Sequence, residues 1–185
     1  MSKAVLISIR PQWCEKIASG EKAIEVRKTK PNLETPFKCY IYCTAERAGY
    51  DALWVLDAPT REKYSFMAVS AYLENPNGAS KGNGKVIGEF TCERIVPITY
   101  DGGRLWCPTN AAFSPATCLS QAEIIAYIGD KGRCYGWHIS DLRIYDTPRD
   151  LGEFIGLRTM KNGFELRELD RPPQSWCYVL EDYHA

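Results

Sequence analysis

Between Gly20 and Arg27 the chain reads Gly-Glu-Lys-Ala-Ile-Glu-Val-Arg, which sets an amine, a carboxylate and a guanidinium close together. A desolvated Lys22 beside Glu25 has the groups of a nucleophile or base, and the carboxylate could activate water. Arg27 with Lys28 and Lys30 could contact a few phosphates. Glu25 and Arg27 are two apart, roughly 6.6 Å on one face of a strand. Facing a core, they would cost stability unless paired; facing a polar cleft, they would make the floor of a binding site. A solvent-facing edge strand with a cross-strand ion pair satisfies the same spacing. Further along, Trp137 suits either a stacking platform or the core, and His138 suits either a site or a hydrogen-bonded structural role. No nucleophile motif of the Ser-His-Asp type is present.

Elements must hold these groups. Residues 4–9 (AVLISI) predict a short apolar strand. Pro11 suits the first turn of a helix and Gly20 its end, with Trp13, Ile17 and Ala18 forming an apolar stripe between them, so 11–19 predicts a short amphipathic helix. After the glycine turn, 22–28 alternates as a strand. Ala23, Glu25 and Arg27 share one side; Lys22, Ile24, Val26 and Lys28 share the other. Residues 31–36 predict a loop and 38–44 a β-branched, aromatic strand. Leu53 and Leu56, at i and i+3, give 45–56 a helical pattern, while 64–73 suits either helix or strand. Residues 75–84 are a turn-rich loop that lacks the GxxxxGK[ST] phosphate-binding pattern. The whole of 45–84 predicts an insertion between core strands.

Residues 85–99 predict a long strand, with Gly88 marking a bulge or a close backbone approach. Ser120 and Glu123 form a capping-box pattern that opens a helix ending at Gly129. Residues 135–145 predict a strand that bends at Ser140–Asp141, 146–154 a turn with a short helical piece, and 175–181 a final strand. Many strands and few short helices predict an α+β chain: one domain over 1–185, built as a small mixed β-barrel with flanking short helices.

Composition narrows the function classes. The 23 Lys+Arg balance the 23 Asp+Glu, and apolar residues make up 45%, so neither a disordered chain nor a basic coat protein is indicated. The neutrality is uneven. The first 40 residues hold Lys3, Arg10, Lys16, Lys22, Arg27, Lys28, Lys30 and Lys38 against Glu15, Glu21, Glu25 and Glu34. Tight, non-specific backbone binding scales with phosphates neutralised and is not expected; a site for one or a few nucleotides remains open. No stretch approaches the roughly 18 apolar residues of a membrane span, and no export signal is expected, since the apolar run near the N-terminus is short and soon broken by Arg10 and Pro11. The 8 cysteines are therefore expected as buried thiols of a cytoplasmic protein. They include no CxxC, and Cys39 and Cys43 stand about 13 Å apart along one strand, so no metal is expected.

The segment SIRPQWCEKIASGEKAIEVRKTKP resembles the start of the ASCH domain, a branch of the PUA-like superfamily. That family's GxKxxExR signature corresponds to Gly20, Lys22, Glu25 and Arg27. FKCYIYCT, KVIGEF, GWHISDLRIYDTP and RPPQSWCYV are similar to further segments of bacterial and prophage-type members. The resemblance spans about two-thirds of the chain and is weakest over 45–84 and 100–117. It implies a PUA-like barrel with a cleft beside the signature that binds RNA or a nucleotide-like ligand, with no cofactor. It also implies that Arg10 lines that cleft, and that Ser175 and Trp176 approach it from a last strand running near the first. Some small bacterial members hydrolyse acylated cytidines with a lysine at the position of Lys22, but with threonine where this chain has Glu25; others are ribonucleases.

The expected ligand-binding set is therefore Arg10, Lys22, Glu25, Arg27, Lys28, Trp137, His138 and Ser175. If the protein is instead a hydrolase of amide-bearing nucleosides or of RNA, Lys22 and Glu25 are the expected catalytic pair.

Overall fold

In the computed structural model, which describes residues 2–45, 52–64, 68–71, 78–109, 115–161 and 163–181, β1 (Lys3–Ile9) is buried on both faces. Strand alternation explains its nearly unbroken apolar run. Ala4 and Leu6 enter a layer with Tyr40, Val86 and Val179. Val5, Ile7 and Ile9 enter another with Phe37, Ile41, Phe90 and Trp137. A strand covered on both sides has no polar face to show.

β1 leads into α1 (Pro11–Ala18), β2 (Ile24–Arg27) and β3 (Phe37–Cys43). After β4 (Ala52–Leu56), α2 (Ala58–Tyr64), β5 (Ala68–Ala71) and β6 (Ala79–Lys81) come the long β7 (Val86–Tyr100), β8 (Leu105–Trp106), α3 (Gln121–Ile128) and the long β9 (Arg133–Arg149). β10 (Ile155–Met160), β11 (Gly163–Glu168) and β12 (Trp176–Leu180) finish the chain. The main sheet runs β11-β10-β12-β1-β3-β7-β9-β2, with β8 attached to β7; β1 and β3 are its parallel pair, and the other pairings are antiparallel.

The chain is thus mostly β with short helices, but the sheet does not close into the expected barrel. β2 and β11 are its two ends. β2 is only four residues long and pairs with β9 alone. Across the gap to β1 it sends a side chain rather than a ladder: Arg27 Nη2 donates to the Ser8 carbonyl at 2.6 Å.

Residues 52–81 contribute a separate three-stranded sheet, ordered β5-β4-β6. The helix expected over 45–56 is a strand from Ala52 onward; 46–51 lie outside the described residues. Leu53 and Val55 decide it. They alternate inward and join the main core cluster, and β-branched Val55 and aromatic Trp54 favour extended backbone. The i, i+3 spacing of Leu53 and Leu56 fitted a helix only because Val55 was not counted with them. A short strand, β6, also occupies part of the expected loop at 75–84.

β7 and β9 form the longest pairing, and its register slips near Gly88. A Cβ there would lie 2.4 Å from the Arg143 carbonyl oxygen, so a close backbone approach is what requires the glycine. β9 bends where expected, with Asp141 at φ 47°. α3 opens on the expected capping box, Ser120 Oγ accepting from Glu123 N and the Glu123 carboxylate accepting from Ser120 N at 2.8 Å, and ends at Gly129 with φ 55°.

Candidate functional site

α1 and β2 meet at one end of the sheet, and the turn between them is set by Gly20, whose φ of 80° disfavours residues with a side chain. Lys22 N then donates to the Lys16 carbonyl at 2.9 Å, tucking the chain under α1. β2 begins only at Ile24, so Lys22 lies outside the strand and is released from its alternation. Its side chain turns to the same side as Glu25 and Arg27, where strict alternation would have placed it opposite.

The three charges are packed together and nearly dry, with Lys22, Glu25 and Arg27 exposed by 3%, 6% and 8%. Lys22 Nζ is 3.4 Å from Glu25 Oε2, and Arg27 Nε is 3.0 Å from Glu25 Oε1. The carboxylate therefore sits between two cations. Lys22 Nζ also donates to the Ile24 carbonyl at 3.0 Å and to the Thr117 carbonyl at 2.6 Å. Two of the ammonium's three N–H donors are thus taken by backbone carbonyls, and the ion pair with Glu25 is not an aligned hydrogen bond. Lys22 also stands 5.1 Å from the centroid of the Trp13 ring. Arg27 is tied to Ser8 through Nη2 and reaches Ser175 Oγ at 3.5 Å through Nη1. Glu25 Oε2 has an ion partner but no aligned hydrogen bond among the described residues.

This cluster floors a cleft of about 810 Å³. Its walls include Arg10, Gln12 and Trp13 at the start of α1, Tyr127 on α3, and Gln174 before β12. Arg10 is exposed, and its guanidinium has no partner among the described residues. Burial pushes the Tyr127 hydroxyl above its ordinary value, so it stays a donor at neutral pH. Lys28 is exposed at the rim, its Nζ 5.2 Å from the centroid of the Tyr127 ring.

Of the residues expected at the site, Arg10, Lys22, Glu25 and Arg27 line the cleft, Ser175 touches Arg27, and Lys28 stands at the edge. Two do not line it. Trp137 pairs with Glu25 across β2 and β9, but its indole is fully buried between Phe37 and Trp176, at 6.0 and 6.2 Å between ring centroids. It is a core residue behind the site. His138 pairs with Ile24, so strand alternation sends it to the opposite face.

Trp13, Gln12, Tyr127 and Thr117 were not expected at the site. Trp13 had a local signal, being an aromatic in the helix that leads into the charged turn. Tyr127 and Thr117 had none, since only the packing of the segment from 115 to 128 brings them over β2.

Burial, and then Arg94, hold the His138 imidazole below its ordinary value. The unfolded chain thus binds that proton first as pH falls. Stability is complete above about pH 6.5 and declines below it. A His138→Gln variant is expected to lose this decline, measured as urea midpoints between about pH 5 and 8. An unchanged profile would assign the dependence to another group.

All 8 cysteines are free thiols. Among the described residues no cluster of His, Cys, Asp and Glu could hold a metal, and no helix is long and apolar enough to cross a membrane.

The fold, an open mixed sheet with short helices, is ASCH-like. Two solved structures match nearly the whole chain. The ASCH protein of Zymomonas mobilis is 17% identical with a TM-score of 0.50, over 97% of this chain and 88% of that one. A point mutant of that protein is 18% identical with a TM-score of 0.50, over 98% and 93%. No protein-family model and no curated protein matches the sequence.

Proposed function

We propose that the cleft binds RNA or a nucleotide-like ligand, one nucleotide at a time. The observation that carries this reading is the convergence of the unpartnered Arg10 guanidinium with the Trp13 and Tyr127 rings over the buried Lys22–Glu25–Arg27 floor. A guanidinium suits a phosphate, an aromatic face suits a base, and the volume is in the usual range for a small ligand. Lys22 is a positioning residue here, because two of its donors are taken by backbone carbonyls and its charge pairs with Glu25.

Labelled single-stranded RNAs and mononucleotides should be titrated against the wild type and two cleft variants. Trp13→Ala is expected to weaken binding about tenfold, from lost stacking. Arg10→Ala is expected to weaken it and to lower the salt slope by about one, from one lost phosphate contact. Affinity unchanged in both variants would overturn the reading.

A second reading, hydrolysis of an amide on a modified nucleoside or cleavage of RNA, is favoured by one observation: the Glu25 carboxylate oxygen that has no aligned hydrogen bond. Glu25 would be the proton acceptor. Lys22 is poorly arranged for that work, since a base or nucleophile needs an open lone pair. Mass spectrometry of acylated cytidines and RNA after incubation would test it; turnover surviving Glu25→Gln would exclude Glu25 from the chemistry.

A further inference from the structure

Among the described residues, the main sheet ends in an edge strand that no further strand covers. β11 pairs with β10 on one side only, and all its residues are exposed. Sheets usually protect such edges with charge, proline, bulges or a covering element. Here Phe164 and Leu166, 48% and 50% exposed, share one face of the edge strand. Glu165 and Arg167 share the other. The Lys3 ammonium lies 3.5 Å from the centroid of the Phe164 ring.

We propose that β11 is a homodimer interface, in which two copies of the chain pair edge to edge, antiparallel, about a two-fold axis between their Leu166 residues. Symmetry limits the choices. A two-fold axis normal to the sheet keeps each side chain on its own face. Opposing residues must then have the same parity, and the axis lies midway between the two copies of one residue. The six residues of β11 allow two registers of maximal length, centred on Glu165 or on Leu166. The first sets Glu165 against Glu165 of the second copy. The second sets Leu166 against Leu166 and Glu165 against Arg167, twice. It also brings Glu168 of the second copy opposite Phe164, on the face where the Lys3 ammonium waits. Opposite charges directly across a ladder stabilise it and like charges destabilise it, so the charge pattern selects the second register.

Sedimentation equilibrium of the full chain, from micromolar to millimolar concentration, should show a monomer–dimer equilibrium. Glu165→Arg and Leu166→Lys are each expected to weaken the dimer about tenfold or more. Combining Glu165→Arg with Arg167→Glu is expected to restore it, because the same pairs form with signs exchanged. These side chains are exposed, so thermal melts by circular dichroism should be unchanged, which separates lost pairing from lost folding. A wild type that stays monomeric to millimolar concentration would overturn the proposal and leave the edge to a strand of some other protein. A dimer indifferent to the variants would overturn it by placing the contact elsewhere. A double exchange no tighter than the single Glu165→Arg change would overturn the register.

Discussion

Replacing Glu25 with alanine is expected to lower the unfolding free energy by about 3–5 kcal/mol, the usual cost of leaving a buried ion pair with one partner missing. That is a large fraction of the roughly 5–15 kcal/mol that holds a domain folded. The two cations left behind, Lys22 and Arg27, are 3% and 8% exposed, and neither can turn to water without unmaking its carbonyl contacts. Lys22→Met is expected to cost a comparable amount, for a different reason. It removes one charge from a cluster of two cations and one anion, leaving Glu25 and Arg27 as a balanced pair. What remains is the loss of donors to two carbonyls, about 1–3 kcal/mol each where no water replaces them. Urea unfolding reads both, as midpoint shifts at constant slope. A Glu25→Ala cost below about 1 kcal/mol would show that water reaches the cluster, and that it is not a dry floor.

Trp137→Ala is expected to cost a similar amount, about 3–5 kcal/mol, for a different reason: a cavity where the largest fully buried side chain stood. Trp137→Phe should cost much less, below about 1.5 kcal/mol. It keeps an aromatic ring against Phe37 and Trp176, and it removes an indole N–H that has no hydrogen-bond partner among the described residues. Trp137→Phe is also expected to leave RNA or nucleotide affinity unchanged, in contrast to Trp13→Ala. If Trp137→Phe weakened binding as much as Trp13→Ala, the indole would have to be reachable from the cleft, and its assignment to the core would fall.

The two tryptophans show where reading along the chain works and where it stops. Each lies in a segment of clear pattern, α1 for Trp13 and β9 for Trp137. Pattern tells which residues share a face, not what covers the face. Trp137, which suited either a stacking platform or the core, is core, and Trp13, expected in the apolar stripe of a helix, lines the cleft. Residues 45–56 failed for a related reason. A few apolar residues in a short segment match more than one period, and the contact of Leu53 and Val55 with the main core settled which applied. The β10–β11 hairpin left no strong signal, since an exposed strand has no buried face to impose alternation.

Local chemistry was enough for the glycine turn, the capping box of α3, the apolar strand at 4–9 and the gathering of Lys22, Glu25 and Arg27 within a few residues. These depend on backbone dihedrals, short-range hydrogen bonds and side-chain type, all of which act between near neighbours in the chain. Packing alone settled that Lys22 turns to join Glu25, that Thr117 caps it, that Tyr127 and Trp13 wall the cleft, and that the sheet stays open with Arg27 spanning its gap. Those depend on which distant segments meet. A buried charge accepts whatever donors and acceptors the fold brings within about 3 Å, and nothing in the adjacent sequence specifies them.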